Sequence, residues 1–496
     1  MDARTLYRAV ATHDPRFDGR FFVGVSSTRV YCRPVCRVRT PRAENCRYFA
    51  SAAAAEVAGY RPCLRCRPEL APGYASVDAV GRLAQAAAGL IEGGILDEGG
   101  LEALARRLGV TSRHVRRIFD RAFGVTPIEY AQTQRLLLAK RLLTDTALPV
   151  TDVALASGFG SVRRFNALWQ ARYRMAPGDI RRQAPAGGAA TMRFVLAYRP
   201  PYEWSALHAF LAARAIAGVE QVDARGYRRT LAIEHDGRHV GVIAVRPLPR
   251  RDALALDVSA SLARVIPLVL ARVRHAFDLT CHPDDVASAL GALAANAPGL
   301  RVPGTVDGFE LAVRAVVGQQ VSVAGARTLL GRLAARFGEP LGAPAGGRNS
   351  DGDAGDAIAD ADRDRDRDAG CERVFPSAAR LADASASDIA ALGILPARAR
   401  TLVALAGAVA SGALALDPGA PVDVTRERLL ALPGIGPWTV EYVAMRALGW
   451  PDAFPAGDRV IMNALRVSTA ARAEARSQAW RPWRAYAAMH LWKGST

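Results

Sequence analysis

The chain has 496 residues, half of them apolar, so it is too long for a single core and is expected to form two to four domains. It has no run of about twenty apolar residues and no apolar signal core, which predicts a cytoplasmic protein without a membrane partner. The net charge is +18, and residues 1–72, 81–183 and 184–496 are each basic, which favours a polyanionic partner, most simply nucleic acid.

Four cysteines near the N-terminus form two short-spaced pairs. Cys32 and Cys36 lie in YCRPVCRVRT, and Cys63 and Cys66 lie in RPCLRCRP. Cytosolic thiols stay reduced, and four thiolates fit tetrahedral Zn²⁺, so the spacing predicts one zinc site. The other three cysteines lack a partner at ligand spacing and are predicted to be ordinary thiols: Cys46, Cys281 and Cys371.

The pattern leaves two roles open for this zinc site. The metal could only hold the fold, which is the commoner case. Alternatively, four thiolates and one Zn²⁺ sum to a net charge of about −2, which keeps sulfur nucleophilic at neutral pH. Methylation of one sulfur then removes one negative charge, so that the surrounding arginines attract DNA more strongly.

Two stretches, FFVGVSSTRVYCRPVCRVRTPRAENCRYF and GYRPCLRCRPEL, resemble the N-terminal domain of Ada adaptive-response proteins, and the unit is assigned to residues 1–76. The resemblance implies that Cys32 accepts a methyl group from a DNA methylphosphotriester. It also implies that Cys36, Cys63 and Cys66 complete the zinc site. Two further residues match positions that face the DNA backbone: Thr28 and Arg39.

The helical periodicity of residues 81–183 predicts two helix-turn-helix motifs. Gly109 can end one helix and Thr111 or Ser112 can cap the next, and a second turn precedes a helix starting near Ser161. The tandem resembles the AraC-type DNA-binding domain. The residues expected to contact bases or phosphates, or alternatively to form a solvated helix face, are Arg113, His114, Arg116, Arg117, Arg163, Arg164 and Asn166.

Residues 184–191 are small and flexible in type, which predicts a linker to a third, separate unit at 192–496. Within that unit, residues 342–372 are low in complexity and poor in bulky apolar side chains. They cannot bury enough surface to order themselves and are predicted to be a disordered insertion.

The stretch LPGIGPWTVEYVAMRALGW predicts a helix-hairpin-helix, a DNA anchor that ignores base sequence. Gly434 and Gly436 allow close approach to a phosphate, which the amides of the following helix can bind. Further along, Asp458 begins an apolar helix. It could be an N-cap or, at this spacing from the hairpin, the carboxylate of a glycosylase.

Most of residues 192–496 resembles the AlkA-type DNA-3-methyladenine glycosylases, through MRFVLAYRPPYEW, VVGQQVSVAG and WRPWRAYAAMHLW. The resemblance implies that Asp458 is the catalytic carboxylate and that Trp438, Tyr442 and Trp492 line the base pocket. Gln320 stands where relatives carry an apolar wedge, usually leucine, and is expected to fill the gap left by the flipped base less well.

Two absences narrow the expected chemistry. No lysine occurs between residues 141 and 492, so no amine is available for the Schiff base of a lyase, and a monofunctional glycosylase is predicted. The Pro-Cys-His-Arg string of the second Ada methyltransferase domain is also missing, which predicts no repair of O6-alkylguanine.

The sequence therefore predicts a mainly α multidomain protein: a small α/β zinc domain, a tandem helix-turn-helix, and a helix-hairpin-helix glycosylase with a small N-terminal α/β subdomain. The expected function combines alkylation sensing, transcriptional activation and base excision. Double-stranded DNA and RNA polymerase are the expected partners. Two rivals stay open: a regulator whose glycosylase unit is only a DNA-binding platform, and a repair enzyme whose other units only add DNA affinity.

Overall fold

The computed structural model describes residues 1–72, 79–146, 148–180, 191–341 and 370–494. The predicted linker lies outside the described residues except for Thr191, and so does the predicted insertion as far as residue 369. The described chain is mainly helical, with two small sheets, which confirms the predicted fold class. None of the described helices is long and apolar enough to cross a membrane.

The first unit is a four-stranded sheet with two helices. Its elements are α1 (Ala3–Ala11), β1 (Phe22–Val25), β2 (Val30–Cys32), β3 (Cys46–Phe49), α2 (Ala52–Val57) and β4 (Arg61–Pro62). The strand order is β3-β1-β2-β4, and only the β2–β4 pair is parallel. Because parallel strands end at the same edge, the pairing of Tyr31 with Pro62 brings Cys32 and Cys63 to neighbouring strand ends.

The second unit contains the two predicted helix-turn-helix motifs. Its helices are α3 (Ala79–Glu92), α4 (Ile95–Arg107), α5 (Ser112–Phe123), α6 (Pro127–Asp145), α7 (Val150–Ala156) and α8 (Val162–Tyr173). The turn before α5 follows the prediction, since Gly109 has a φ of +68° and the Thr111 side chain accepts from the His114 amide. Ser161 caps α8 in the same way. The long helix α6 joins the two motifs.

The third unit begins with a five-stranded antiparallel sheet and two helices. These elements are β5 (Thr191–Ala197), α9 (Trp204–Arg214), β6 (Glu220–Asp223), β7 (Gly226–Glu234), β8 (Arg238–Pro247), β9 (Ala253–Ser259) and α10 (Ile266–Ala276). The strand order is β5-β9-β8-β7-β6. Strand β5 starts at Thr191, one residue before the predicted boundary of the unit.

The rest of the third unit is helical. Its helices are α11 (Pro283–Leu290), α12 (Gly308–Val317), α13 (Val323–Phe337), α14 (Ala378–Ala382), α15 (Ala386–Ala390), α16 (Pro396–Ala410), α17 (Val422–Leu430), α18 (Pro437–Arg446), α19 (Arg459–Ala464), α20 (Ala470–Ser477) and α21 (Arg484–Lys493). They enclose two apolar cores. Tyr442 of α18 packs against both of them, so the predicted hairpin lies where the two cores meet.

The predicted disorder does not extend to the end of the insertion at residue 372. Cys371 is buried, and the Glu372 amide donates to the Gly218 carbonyl over 2.8 Å. The Leu341 amide in turn donates to the Glu372 carbonyl over 2.7 Å. For residues 370–372 the prediction is wrong, because backbone hydrogen bonds to Gly218 and Leu341 tie them to the folded unit.

The second and third units are less separate than the sequence predicts. Apolar side chains of the second motif and of the sheet belong to one continuous core, which includes Leu142 and Phe165 on one side and Phe194 and Leu256 on the other. Arg141 of α6 also donates from Nη2 to the Val195 carbonyl of β5, over 2.7 Å. The second motif therefore packs directly on the sheet of the third unit.

A buried carboxyl group joins the first unit to helix α6 and to the second helix-turn-helix motif. Glu56 of α2 is 2% exposed and accepts from the hydroxyls of Tyr31, Thr133 and Tyr173 over 3.1, 3.4 and 3.4 Å. Burial raises the pKa of Glu56 from 4.5 to about 7, against the opposing effect of these donors and of Arg172. Ionisation of Glu56 therefore opposes folding at neutral pH.

The raised pKa of Glu56 predicts a pH-dependent stability. Between about pH 4.5 and pH 7 the folded state holds a proton that the unfolded chain has lost, so this carboxyl costs stability as the pH rises, by roughly 3 kcal/mol in all. Glu56→Gln removes the titration. The melting temperature of the variant is expected to exceed that of the parent by several degrees at about pH 8 and by little at about pH 5.

Glu44→Gln is the matched control, since the Glu44 side chain lies in the same unit and is 72% exposed. Its melting temperature should differ from that of the parent equally at both pH values. A difference for Glu56→Gln that does not grow with pH contradicts the assignment of a raised pKa to Glu56.

Candidate metal centre and active site

The four predicted zinc ligands come together. The Sγ atoms of Cys32, Cys36, Cys63 and Cys66 all lie within 4.8 Å of one another. A tetrahedral zinc–thiolate site needs sulfurs about 3.8 Å apart, so the cluster fits one Zn²⁺ after a small adjustment, and the predicted cofactor site is confirmed. Within the described ranges no other group of three or more such ligands is found. Three cysteines stay outside the cluster and form no disulfide: Cys46, Cys281 and Cys371.

The backbone explains this convergence. Cys32 ends β2, and the amide of Cys36 donates to the Arg33 carbonyl in a tight turn over 3.1 Å. The Cys63 amide donates to the Tyr31 carbonyl over 3.0 Å, which extends the β2–β4 pairing by one step. Cys66 follows in the next turn. Cys32, Cys36 and Cys63 are each less than a tenth exposed.

The arginines around the cluster have two different environments. Arg33 is internal: its amide donates to Cys66 Sγ over 3.4 Å, and its guanidinium forms a two-pronged pair with Asp18. In contrast, Arg37, Arg39 and Arg65 are exposed. The positive charge available to a bound polyanion therefore comes from these exposed arginines and not from Arg33.

The residues predicted to contact DNA in the first two units all lie at the surface. Thr28 and Arg39 are exposed, as are the predicted side chains of α5 and α8 except His114, which is half-buried and lies 3.0 Å from Arg117. The exposed set on the two helices is Arg113, Arg116, Arg117, Arg163, Arg164 and Asn166. Exposure fits a DNA-reading face and a solvated face equally, so the predicted contacts stay predictions.

The predicted hairpin is formed by α17, a short turn and α18. Gly434 has a φ of +83°, and a Cβ there would lie 2.3 Å from Thr401 Oγ1, so glycine is required at this position. Gly436 is the N-cap of α18 and, having no side chain, leaves the first amides of the helix uncapped. These amides are the groups that the sequence analysis assigns to phosphate binding.

Gln320 lies in the turn between α12 and α13. The preceding residue, Gln319, binds this turn to the hairpin. Gln320 is exposed and has a φ of +55°. Its neighbour Gln319 donates from Nε2 to the Gly434 carbonyl and to Thr439 Oγ1, both over 3.1 Å. The sequence analysis missed Gln319, whose role is visible only from these contacts with a segment more than a hundred residues away.

Asp458 lies at the N-terminus of α19 and beside two of the predicted pocket residues, while its catalytic role stays a prediction. Its Oδ1 accepts from the amides of Val460 and Ile461 over 2.9 and 3.1 Å, so it is the N-cap of α19. The indole Nε1 of Trp438 also donates to Oδ2 over 2.9 Å, and that of Trp492 donates to Oδ1 over 3.1 Å. Two predicted pocket residues therefore hold the predicted carboxylate.

The predicted pocket aromatics are in mutual contact. The rings of Trp438 and Tyr442 stack with centroids 5.1 Å apart and planes 14° apart, and Trp492 lies 6.3 Å from Tyr442. The sequence analysis missed two neighbours: Arg446, whose guanidinium carbon lies 5.2 Å from the Tyr442 ring centroid, and Phe210, 4.9 Å from the same carbon. The four-residue spacing from Tyr442 could have indicated Arg446.

Three family models match separate parts of the chain. Family models match for the metal binding domain of Ada at residues 5–69, a helix-turn-helix domain at 104–183 and the AlkA N-terminal domain at 193–307. A metal-binding unit, a helix-turn-helix unit and a glycosylase-type unit in one chain define a class of bifunctional regulator and repair protein.

The similarity to curated proteins extends over the whole chain. It is 38% identical to the "Probable bifunctional transcriptional activator/DNA repair enzyme AlkA" of Mycobacterium tuberculosis, over 99% of this chain and 96% of that protein. The chain belongs to this family of AlkA-type transcriptional activator and DNA repair proteins. DNA-3-methyladenine glycosylase 2 of Escherichia coli is 38% identical over 60% of this chain and 96% of its own length. The bifunctional regulator Ada of Escherichia coli is 35% identical over 31% of this chain and 42% of its own length.

The cluster predicts how zinc content depends on individual cysteines. Cys63→Ser replaces one ligand with a hydroxyl that does not ionise at neutral pH, so the purified full chain should retain far less than about one zinc per molecule. Cys46→Ser is the control, because Cys46 lies in the same unit outside the cluster and donates to the Arg42 carbonyl. Elemental analysis by mass spectrometry measures both, and equal zinc contents would contradict the assigned ligands.

Proposed function

We propose that the chain detects and repairs alkylated DNA with three units, at residues 1–76, 81–183 and 192–496. In this proposal the first unit takes a methyl group from DNA methylphosphotriesters onto Cys32. The second unit reads promoter DNA and activates transcription with RNA polymerase as its partner. The third unit hydrolyses the N-glycosidic bond of alkylated purines in double-stranded DNA.

The observation that carries the glycosylase proposal is the contact of Asp458 with two pocket indoles beside the hairpin. A carboxylate that serves only as an N-cap needs no such contacts. Trp438 and Trp492 fix the direction of the carboxylate while their rings stay at the pocket wall. This arrangement supports a site in which a flipped base lies against aromatic rings and its sugar lies beside Asp458.

The proposed reaction uses the charge of the damaged base. Alkylation at N3 or N7 makes a purine cationic, and electron-rich rings such as those of Trp438 and Tyr442 attract it by about 0.5–2 kcal/mol. When the bond from C1′ to the base breaks, its electron pair neutralises the base. The sugar becomes an oxocarbenium-like cation that the Asp458 carboxylate stabilises. Water then adds to C1′ and releases a proton.

Asp458→Asn tests this role with little effect on the fold. Asparagine caps helices about as well as aspartate, so α19 should persist while the negative charge is lost. Release of 3-methyladenine or 7-methylguanine from methylated duplex DNA should fall by at least about a hundredfold, since general-acid/base and electrostatic effects of this size are typical. The assay follows the base released under single-turnover conditions.

Asp307→Asn is the matched control, because Asp307 caps α12 in the same unit by accepting from the Glu310 amide over 3.0 Å. It should keep most of the parent activity. Undiminished base release by Asp458→Asn would overturn the role proposed for Asp458, whereas a parent that releases no base would favour the DNA-binding platform. In the same reaction the parent should leave an intact strand with an abasic site until alkali is added, because the proposed pocket contains no lysine.

The sensor proposal depends on the electron-rich sulfur of Cys32. A bound Zn²⁺ would keep the four sulfurs deprotonated at neutral pH. Cys32 attacks the methyl carbon, an S–C bond forms, and the C–O bond breaks with its electron pair left on the phosphate oxygen. The DNA regains the charge of an ordinary phosphodiester and the cluster loses one negative charge. The exposed Arg37, Arg39 and Arg65 then act on the phosphates with less opposition.

Peptide mass spectrometry of the full chain tests the acceptor. After exposure to DNA containing methylphosphotriesters, the peptide with Cys32 should carry one added methyl group. The affinity of the methylated full chain for DNA at low salt should increase. The Cys46→Ser variant should be methylated like the parent, and Cys32→Ser should not be. A methyl group on another cysteine of the zinc-loaded protein, or an unchanged affinity, would contradict the proposal.

A further inference from the structure

We define the inner end of the predicted base pocket as the Tyr442 hydroxyl together with Arg446, which donates a hydrogen bond to it. Arg446 is 6% exposed, and its Nε donates to the Pro303 carbonyl over 2.6 Å. Its Nη2 donates to the Gly304 carbonyl over 3.2 Å, and its Nη1 donates to the hydroxyl oxygen of Tyr442. Three donated hydrogen bonds therefore hold the guanidinium in one position beside the phenol.

A second guanidinium adds to the positive charge at this end. Arg214 stacks on Phe210 with its guanidinium carbon 3.8 Å from the ring centroid, and Arg446 stacks on Phe210 at 4.9 Å. No ion pair to either arginine occurs among the described side chains. Burial alone raises the pKa of Tyr442, but Arg446 and Arg214 outweigh burial and lower the pKa below 10. The inner end of the pocket is thus electropositive.

The direction of the Tyr442 hydrogen follows from this contact. A guanidinium has only donors, so the phenol oxygen must accept from Arg446, and its own hydrogen is left to donate elsewhere. In the part of the chain that the structure describes, no acceptor for this hydrogen is found. The ring of Tyr442 stacks on Trp438, whose Nε1 donates to Asp458, so Trp438 contacts both the tyrosine and the carboxylate.

We propose that the Tyr442 hydroxyl, polarised by Arg446, donates a hydrogen bond to an acceptor atom on the edge of the flipped base, and that this contact selects neutral purines with a carbonyl at position 6. The inference rests on the proposed glycosylase function and adds a specificity-determining group to it. Arg446 and Arg214 are positioning residues, because they act on the base through the phenol and through their charge.

The contact matters more for a neutral base than for a cationic one. A neutral purine leaves with the electron pair of the C1′–N bond and becomes an anion, whose charge spreads onto the carbonyl oxygen. A donor backed by two positive charges stabilises that anion, and the base takes up a proton from water after release. A cationic purine leaves uncharged, so a carbonyl at its position 6 gains less from the donor than that of an anion, and the two guanidiniums repel the bound cation. The proposed contact therefore makes the rate of release of neutral purines less different from that of cationic purines.

Tyr442→Phe tests this role by removing one oxygen and keeping the stacked ring. Single-turnover release is measured on matched duplexes with either hypoxanthine, a neutral 6-carbonyl purine, or 7-methylguanine, a cationic one. The rate ratio of hypoxanthine to 7-methylguanine is expected to fall by about tenfold or more. Arg214→Gln, which removes one charge, should lower the same ratio by a smaller factor. Tyr198→Phe is the matched control, since Tyr198 stacks on Tyr202 outside the pocket, and should leave the ratio unchanged.

The two proposals fail in different ways. If the parent releases 7-methylguanine and Tyr442→Phe, with an unchanged circular dichroism spectrum, loses both activities equally or neither, the role of the hydroxyl is overturned and the glycosylase proposal stands. A parent that releases 7-methylguanine but no hypoxanthine also overturns the role of the Tyr442 hydroxyl and leaves the glycosylase proposal standing. A parent that releases neither base from duplex DNA overturns the glycosylase proposal and this inference together.

Discussion

The buried ion pair between Lys140 and Glu69 is the contact on which the arrangement of the units depends. Lys140 Nζ lies 2.6 Å from Glu69 Oε2, and the two side chains are 1% and 2% exposed. Burial alone would raise the pKa of Glu69, but Lys140 and Arg67 outweigh burial and lower it. Removal of one partner from such a pair typically costs about 3–5 kcal/mol, because the other charge is left buried without compensation. The first unit is therefore bound to α6 by a contact that tolerates little change.

Helix α6 of the second unit contacts both the first and the third unit. Thr133 donates to Glu56 of the first unit, Lys140 pairs with Glu69, and Arg141 donates to the sheet of the third unit. The same helix joins the two helix-turn-helix motifs. Tyr31, which directly precedes Cys32, donates to Glu56 over 3.1 Å. The strand that carries the proposed methyl acceptor thus contacts the carboxyl group that also binds α6 and the second helix-turn-helix motif.

The proposed pocket of the third unit would combine two recognition chemistries that oppose each other. The stacked faces of Trp438 and Tyr442 attract a cationic base, whereas the guanidiniums of Arg446 and Arg214 repel one and favour an acceptor edge. Asp458 lies at the other side of Trp438, where it faces the sugar in the proposed complex. In the proposed function, such a pocket would bind alkylated bases by their charge and neutral bases by their edge.

Much of the fold and of the candidate sites could be predicted from local pattern and from resemblance. The two cysteine pairs predict the metal cluster because ligand spacing is a local property, and the turns at Gly109 and Ser161 follow from capping residues. The capping role of Asp458 could be predicted because capping is local, whereas its contacts with Trp438 and Trp492 could not, since they join positions 20 and 34 residues apart. Composition predicted disorder as far as residue 372. It does not report the β-bridge of Cys371 with Gly218 or the backbone hydrogen bonds of Glu372.

By itself, the sequence determined the order and chemistry of the units: a thiolate cluster, two helix-turn-helix motifs, and a hairpin followed by a carboxylate. Only the tertiary structure decided how these units pack, through Lys140 with Glu69 and through one core shared by α8 and the sheet. It alone also brought Arg446 and Gln319 to the pocket and the hairpin. The physical reason is that burial and hydrogen bonding between distant segments depend on chain topology, which neither periodicity nor composition encodes.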